Sequence, residues 1–168
     1  IIFVGKLNES KGYDLYCKYM FKILNINKKW KAYSIGEEKR FQEFPTHKRH
    51  LNLGQIPHNK VLEHLSESEI AIIPSRWEEP FGRTALEASS RGCATIISDT
   101  GGLTETTDYA IKLKKTDVKN IELETERLIK NIRLRKSIQI LSKKFVKHKL
   151  KENSKKIDSM RESLFPFV

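Results

Sequence analysis

The chain has 168 residues, a formal net charge of +11, 38% hydrophobic and 32% charged residues, and two cysteines. That is enough for one domain with a substantial core, and no apolar run approaches the roughly 20 residues a membrane-spanning helix needs. Cys17 and Cys93 form no Cys-x2-Cys pattern, and the five histidines, His47, His50, His58, His64 and His148, make no metal-ligand pair with an acid, which argues against a disulfide scaffold and against a metal centre.

The charge is unevenly placed: residues 1–111 carry a net +1 and residues 112–168 a net +10. A uniformly basic nucleic-acid binder is not built this way, and no nucleic-acid partner is expected. The thiols read as buried and reduced, and the expected location is cytoplasmic, with the inner membrane face as a peripheral alternative.

In chain order, short β-rich runs alternate with helical stretches. Strands are expected at 1–4, 31–35, 51–53, 70–73, 95–98 and 110–113, and helical stretches at 12–26, 38–44, 58–67, 83–91 and 102–107. Short, nearly all-apolar strands alternating with helices predict an α/β fold: a Rossmann-like, doubly wound parallel sheet of about six strands covered on both faces. Glycine or proline breaks follow the first five strands, and in such a sheet ligands bind beyond the carboxyl ends of the strands, at the point where strand order reverses. Trp30 and Trp77 read as packing anchors rather than base-stacking platforms, and His47-Lys48-Arg49-His50 as a solvated turn.

The last third differs. Ile121, Leu128, Ile132, Ile138, Leu141, Phe145, Ile157, Met160 and Leu164 recur at amphipathic-helix spacing with lysines between them. The division expected is a Rossmann-like core over 1–113 and a basic helical region over 114–168 packed on it. Residues 143–156 offer basic charge to an anionic membrane surface, at about 1 kcal/mol per residue, with a solvated helix face as the equal alternative.

The stretch that carries chemistry runs from Pro74 to Glu105. An apolar strand leads into a Pro/Gly loop with Glu79, a helix opens at Gly82 with Glu87 one turn inside it, and a second strand ends in Gly101-Gly102. The first N–H groups of a helix lack internal acceptors and carry the positive end of its dipole, so an anion above Gly82, Arg83 and Thr84 meets donors already aimed at it. Two carboxylates nearby accept from sugar hydroxyls. The ligand expected at this spot therefore has both phosphate and hydroxyls.

Glu79-Pro-Phe-Gly-Arg-Thr-Ala-Leu-Glu87, followed by Gly92-Cys-Ala-Thr-Ile-Ile and Thr100-Gly-Gly-Leu-Thr-Glu105, resembles the Glu-x7-Glu signature of retaining GT-B glycosyltransferases of family four, the glycosyl transferases group 1. Phe3-Val4-Gly5-Lys6-Leu7 with Ser10-Lys11-Gly12 resembles that family's Gly-Arg-Leu and Lys-Gly pair. The likeness covers roughly residues 1–113. It implies the C-terminal, donor-binding half of a GT-B enzyme, with the N-terminal acceptor domain absent from this chain, whose first residues already lie in an apolar strand.

The resemblance further implies that Lys6 and Lys11 neutralise a diphosphate, that Glu79 holds the donor sugar and Glu87 the ribose, and that Gly5, Phe81, Gly82, Arg83 and Thr84 line the donor site, mainly through backbone. Nucleotide base recognition falls near the ends of strands two and three. No metal and no cofactor beyond the nucleotide diphosphate sugar, which is a substrate, is implied. The acceptor is a saccharide or a lipid-linked one, of cell-surface polysaccharide or lipopolysaccharide type. Two positions depart from the family pattern: Lys6 stands where arginine is usual, giving up bidentate phosphate contact, and Arg83 where an apolar residue is usual. Two other functions stay open here, a GT-B-fold nucleotide-sugar epimerase and a non-enzymatic basic module for membrane or nucleic acid.

Overall fold

The computed structural model describes residues 1–40 and 44–164. Six strands, β1 (Ile2–Val4), β2 (Ala32–Ile35), β3 (His50–Asn52), β4 (Ile70–Ile73), β5 (Ala94–Ser98) and β6 (Ile111–Leu113), form one sheet in the order β3-β2-β1-β4-β5-β6. Every pairing is parallel. The central strands are the most apolar: all of Ile70–Ile73 and all of Ala94–Ser98 are buried, as expected for strands covered on both faces.

Five helices cover the sheet: α1 (Tyr13–Ile26), α2 (His58–Ser66), α3 (Arg83–Arg91), α4 (Val118–Lys130) and α5 (Ile132–Leu164). Alternation of side chains along each strand divides the core into two apolar clusters. On one face Phe3, Ile70, Ile72, Ala94 and Ile96 meet Tyr16, Met20 and Ile23 of α1 and Ile121 and Leu128 of α4. On the other, Ile2, Ala71, Ile73 and Ile97 meet Val61 and Leu65 of α2 and Ala85 and Ala88 of α3. The doubly wound sheet predicted from alternating strands and helices is the fold observed.

The segment expected to be helical at 38–44 is not so at the described positions: residues 38–40 and 44 are irregular, and 41–43 lie outside the described residues. The cause is that Glu38 is engaged elsewhere, accepting from Asn8 Nδ2 at 2.9 Å and from the Arg40 guanidinium at 3.0 Å through each of its oxygens. The short helix expected at 102–107 is a 3-10 turn, Gly101–Glu105.

The cluster His47 to His50 does turn at Lys48 and Arg49, with Lys48 exposed, but Arg49 and His50 are engaged with the fold. Arg49 donates to the carbonyls of Asn27, Lys28 and Trp30 at 2.6–2.9 Å, and also to that of Leu24, capping the end of α1. His50 is on β3, with Nε2 3.1 Å from Ser34 Oγ, which is 3.0 Å from Tyr13 Oη. Burial pulls the His50 pKa down to about 4, with His47 adding to it, so the ring is neutral at pH 7.

Both cysteines are buried and free, and burial pushes each thiol up to about 12. In α5, Ile138 and Val146 are buried while Ile157 and Met160 are more than half exposed; the side chain of Leu164 lies outside the described residues. The amphipathic pattern thus runs on past the point where α5 has core to cover. Among the described residues no helix is long and apolar enough to cross a membrane.

Where α4 meets α5, the buried Arg135 joins three elements. Its Nε donates to Glu69 Oε2 at 3.0 Å ahead of β4, its Nη1 to the Leu128 carbonyl at 2.6 Å, and its guanidinium lies 5.2 Å from the centre of the Trp30 ring. Replacing Arg135 by Met keeps the stem but strands the α4 carbonyls, and should lower unfolding free energy by about 2–4 kcal/mol in urea titrations. A loss below about 0.5 kcal/mol would show that the clamp contributes nothing.

Candidate functional site

Sheet order reverses between β1 and β4, and the loops leaving these two strands face each other. After β1 the chain makes a 3-10 turn, Glu9–Lys11, capped by Asn8, whose Oδ1 accepts from the Lys11 amide at 3.2 Å and from Ser10 Oγ at 2.8 Å. The Ser10 carbonyl accepts from the amides of Arg76 at 2.8 Å and Trp77 at 3.1 Å. Arg76 completes the latch with a bidentate pair to the buried Asp14 at 2.6 and 2.8 Å and a bond to the Glu9 carbonyl. Gly12 makes this approach possible: its φ is +71°, and a Cβ there would fall 2.0 Å from the Pro74 carbonyl oxygen.

This latch frames a cavity of about 240 Å³ whose walls include Gly5, Lys11, Ser75, Glu79, Gly82, Arg83 and Thr84. The Lys11 ammonium and the Glu79 carboxylate form an ion pair in it. Gly82 caps α3 with φ +69°, and its carbonyl accepts from Ala85 at 3.0 Å and Leu86 at 3.2 Å. The helix start therefore opens on the cavity beside Lys11, so two independent sources of positive potential converge there. Glu79 is fixed from behind, because the Gly102 amide donates to its carbonyl at 2.6 Å.

A second cavity, of about 470 Å³, lies at the ends of β1, β2 and β3 and is walled by Gly5, Lys6, Gly36, Glu37, Glu38, Lys39, Arg40 and Gln55. Gly5 borders both cavities. The structure thus places Lys11 with Glu79 and the α3 start, and Lys6 in the adjoining compartment. The hydrogen bonds from Arg40, then that from Asn8, hold the Glu38 carboxyl at about 2.

Glu87 lies one turn into α3. Its Oε1 is 3.0 Å from His58 Nε2 and 3.5 Å from Arg83 Nε. Arg83, the residue that departs from the family pattern, thus reaches Glu87 along its own helix. Phe81 and Trp77 are 62% and 61% exposed, so the indole of Trp77 is not a packing anchor, although its backbone is tied to Ser10.

Asn8, Asp14 and Arg76 are residues that sequence reasoning gave no role, and Ser10 and His58 were named without one at this site. Asp14 and Arg76 are 62 positions apart and belong to no local pattern, so nothing in the sequence pairs them. Among the described residues, no group of three or more His, Cys, Asp or Glu is placed to hold a metal ion.

The family model for glycosyl transferases group 1 matches residues 1–156. The GPI3 subunit of the phosphatidylinositol N-acetylglucosaminyltransferase of Saccharomyces cerevisiae is 26% identical over 142 residues, covering 79% of this chain and 31% of that protein. The crystallised C-terminal domain of a glycosyl transferase group 1 family protein, LpcC, from Francisella tularensis superposes with a TM-score of 0.76 at 21% identity, over 89% of this chain and 85% of that one. Anabaena HepE in complex with UDP-glucose superposes with a TM-score of 0.78 at 14% identity, over 96% of this chain and 48% of that one. The fold is that of the C-terminal domain of GT-B proteins, and the chain spans about 27–31% of the length of the first curated relatives it matches.

Burial raises the Asp14 pKa, but the Arg76 guanidinium outweighs it and the net shift is below the usual value of 3.8. A carboxyl whose folded pKa is depressed adds stability that is present above its unfolded pKa and lost as pH falls through the folded one. Asp14→Asn should therefore cost about 1–3 kcal/mol at pH 7. The gap to the parent chain should narrow as pH falls below about 4. Urea titrations at pH 3 and pH 7 check this; an equal gap at both would show that the charge on Asp14 plays no part.

Proposed function

We propose, from the premise that the chain belongs to the family of glycosyl transferases group 1, that it binds the nucleotide diphosphate sugar of a retaining glycosyltransferase acting on a saccharide or lipid-linked acceptor. The observation that carries this reading is the convergence of Lys11, Glu79 and the start of α3 on one cavity at the switch point of the sheet.

On this reading the diphosphate sits between Lys11 and the amides of Gly82, Arg83 and Thr84. As the bond between the anomeric carbon and the phosphate oxygen breaks, negative charge grows on the leaving diphosphate, and fixed donors already facing it stabilise the transition state more than the ground state. No metal is needed in this scheme, since Lys11 and the helix start supply the positive potential. Glu79 accepts from the sugar hydroxyls and Glu87 from the ribose. Lys6, across Gly5 in the compartment where β2 and β3 end, joins Lys11 in neutralising the diphosphate. UDP and UDP-glucose bound to proteins of this fold support a nucleotide donor.

The acceptor belongs in this reading to an N-terminal domain of the whole protein, and the chain alone binds donor without turning it over, because catalysis in a two-domain cleft needs closure around the substrate. The enzyme works in the cytoplasm. The basic stretch 143–156 of α5 offers it a hold on the anionic inner face of the membrane.

Titration calorimetry of the chain with UDP, GDP, ADP and TDP tests the donor site. One diphosphate should bind selectively, and Glu87→Ala and Lys11→Ala should each weaken it by at least about tenfold, the size of a lost charge-assisted contact. Binding that neither substitution changes would sink the assignment. Release of an epimerised sugar nucleotide by the whole protein, with no acceptor present, would favour an epimerase instead.

A further inference from the structure

We propose that His58 is a positioning residue for the ribose carboxylate, an inference that rests on the donor-site reading above. His58 opens α2, directly after Pro57, whose backbone angles are −55° and 144°. The loop before it runs from β3 through Gln55, which walls the larger cavity. From there the imidazole reaches across to α3, where Nε2 lies 3.0 Å from Glu87 Oε1.

An ionised carboxylate only accepts, so His58 presents Nε2–H to it and its neutral form carries its proton on that nitrogen. The Arg83 Nε contact at 3.5 Å falls on the same oxygen, Oε1. The His58 contact on Oε1, with the Arg83 guanidinium close to the same oxygen, restricts the rotamers of Glu87 and leaves Oε2 as the oxygen to receive vicinal hydroxyls. A glutamate left free at this position would have to be ordered when the nucleotide arrives, and that ordering weakens binding. His58 performs it in advance. It also ties the carboxylate on α3 to the start of α2, which follows the segment leaving β3. Glu87 is four-fifths covered while the imidazole is 61% exposed, which makes His58 the replaceable partner of the pair.

The test is calorimetry of the chain with UDP, GDP and ADP and with their 2′-deoxy counterparts, for the parent, His58→Ala, His58→Gln, Glu87→Ala and the double variant His58→Ala/Glu87→Ala. Gln places an N–H donor near the position of Nε2. The expected result is that His58→Ala weakens the bound ribonucleotide about fivefold, a lost hydrogen bond's worth, while its 2′-deoxy counterpart changes less than about twofold. His58→Gln should restore binding, and His58→Ala should cost nothing further in the Glu87→Ala background.

Equal losses on ribose and deoxyribose forms, no loss at all, or full additivity with Glu87→Ala would overturn the positioning role. Binding that depends on Glu87 but not on His58 would sink this inference and leave the donor site standing. If the parent chain binds none of the diphosphates, both fall together. Far-UV circular dichroism of every variant separates these outcomes from misfolding.

Discussion

The site depends on one contact, the latch between the loop after β1 and the loop after β4. In a doubly wound sheet the chain leaves these neighbouring strands in opposite lateral directions, so a crevice opens between them by topology alone. A crevice is not yet a site. Here the Ser10 carbonyl accepts two amides of the opposite loop, and Arg76 reaches back to Asp14 and Glu9, so the residues that face the crevice are held by backbone rather than by their own side chains. Lys11 is the last residue of the turn that carries Ser10, and Glu79 follows Arg76 by three positions. The latch therefore sets the distance between Lys11 and Glu79 in the smaller cavity.

The same logic explains the placement of net charge. Most of the +10 of the last third sits on α4 and α5, along the outside of the domain, whereas the crevice is nearly balanced: Lys11 against Glu79, Arg40 against Glu38, Arg83 and His58 against Glu87. A strongly positive crevice would hold any polyanion. Paired charges favour a ligand that offers anionic and hydroxyl groups together, at positions set by the pairs. Specificity of this kind is a difference between partners, not a total attraction.

Much of the fold was legible because it is written in local pattern. The strand 70–73 is a continuous apolar run and 94–98 has an apolar centre, as a doubly covered sheet requires, and the glycine and proline breaks mark the strand ends. Helix α3 was legible for the same reason, with Gly82 and Gly92 at its two ends, both left-handed. What was not legible is what depends on distant partners. Residues 38–44 have helical composition, yet Glu38 is held by Asn8 from 30 positions away and the described part of the segment stays irregular. Arg49 looks like surface charge until the end of α1 is brought beside it. Trp77 is of a type usually found in a core, but here its backbone and that of Arg76 are fixed to Ser10 while its ring is exposed. Asp14 and Arg76 form the firmest ion pair at the site from positions that carry no motif at all.

The Lys11–Glu79 pair bears on how a donor would bind. Without a ligand, an unpaired lysine and an unpaired glutamate in a narrow, partly desolvated cavity would each carry a solvation penalty, and pairing them removes most of it. A diphosphate sugar, on the proposed reading, brings a partner for both: phosphate oxygens for Lys11 and hydroxyl hydrogens for Glu79. Binding then exchanges one ion pair for a charge-assisted contact and a set of hydroxyl contacts, with no charge left unmatched on either side. A nucleoside diphosphate lacking the sugar satisfies Lys11 but leaves Glu79 without a donor, so the pair itself discriminates in favour of the intact donor. For that exchange to work Glu79 must stay in place when Lys11 lets go. The Gly102 amide on its carbonyl, and the close packing of the Gly101-Gly102 turn against the loop, are what hold it there.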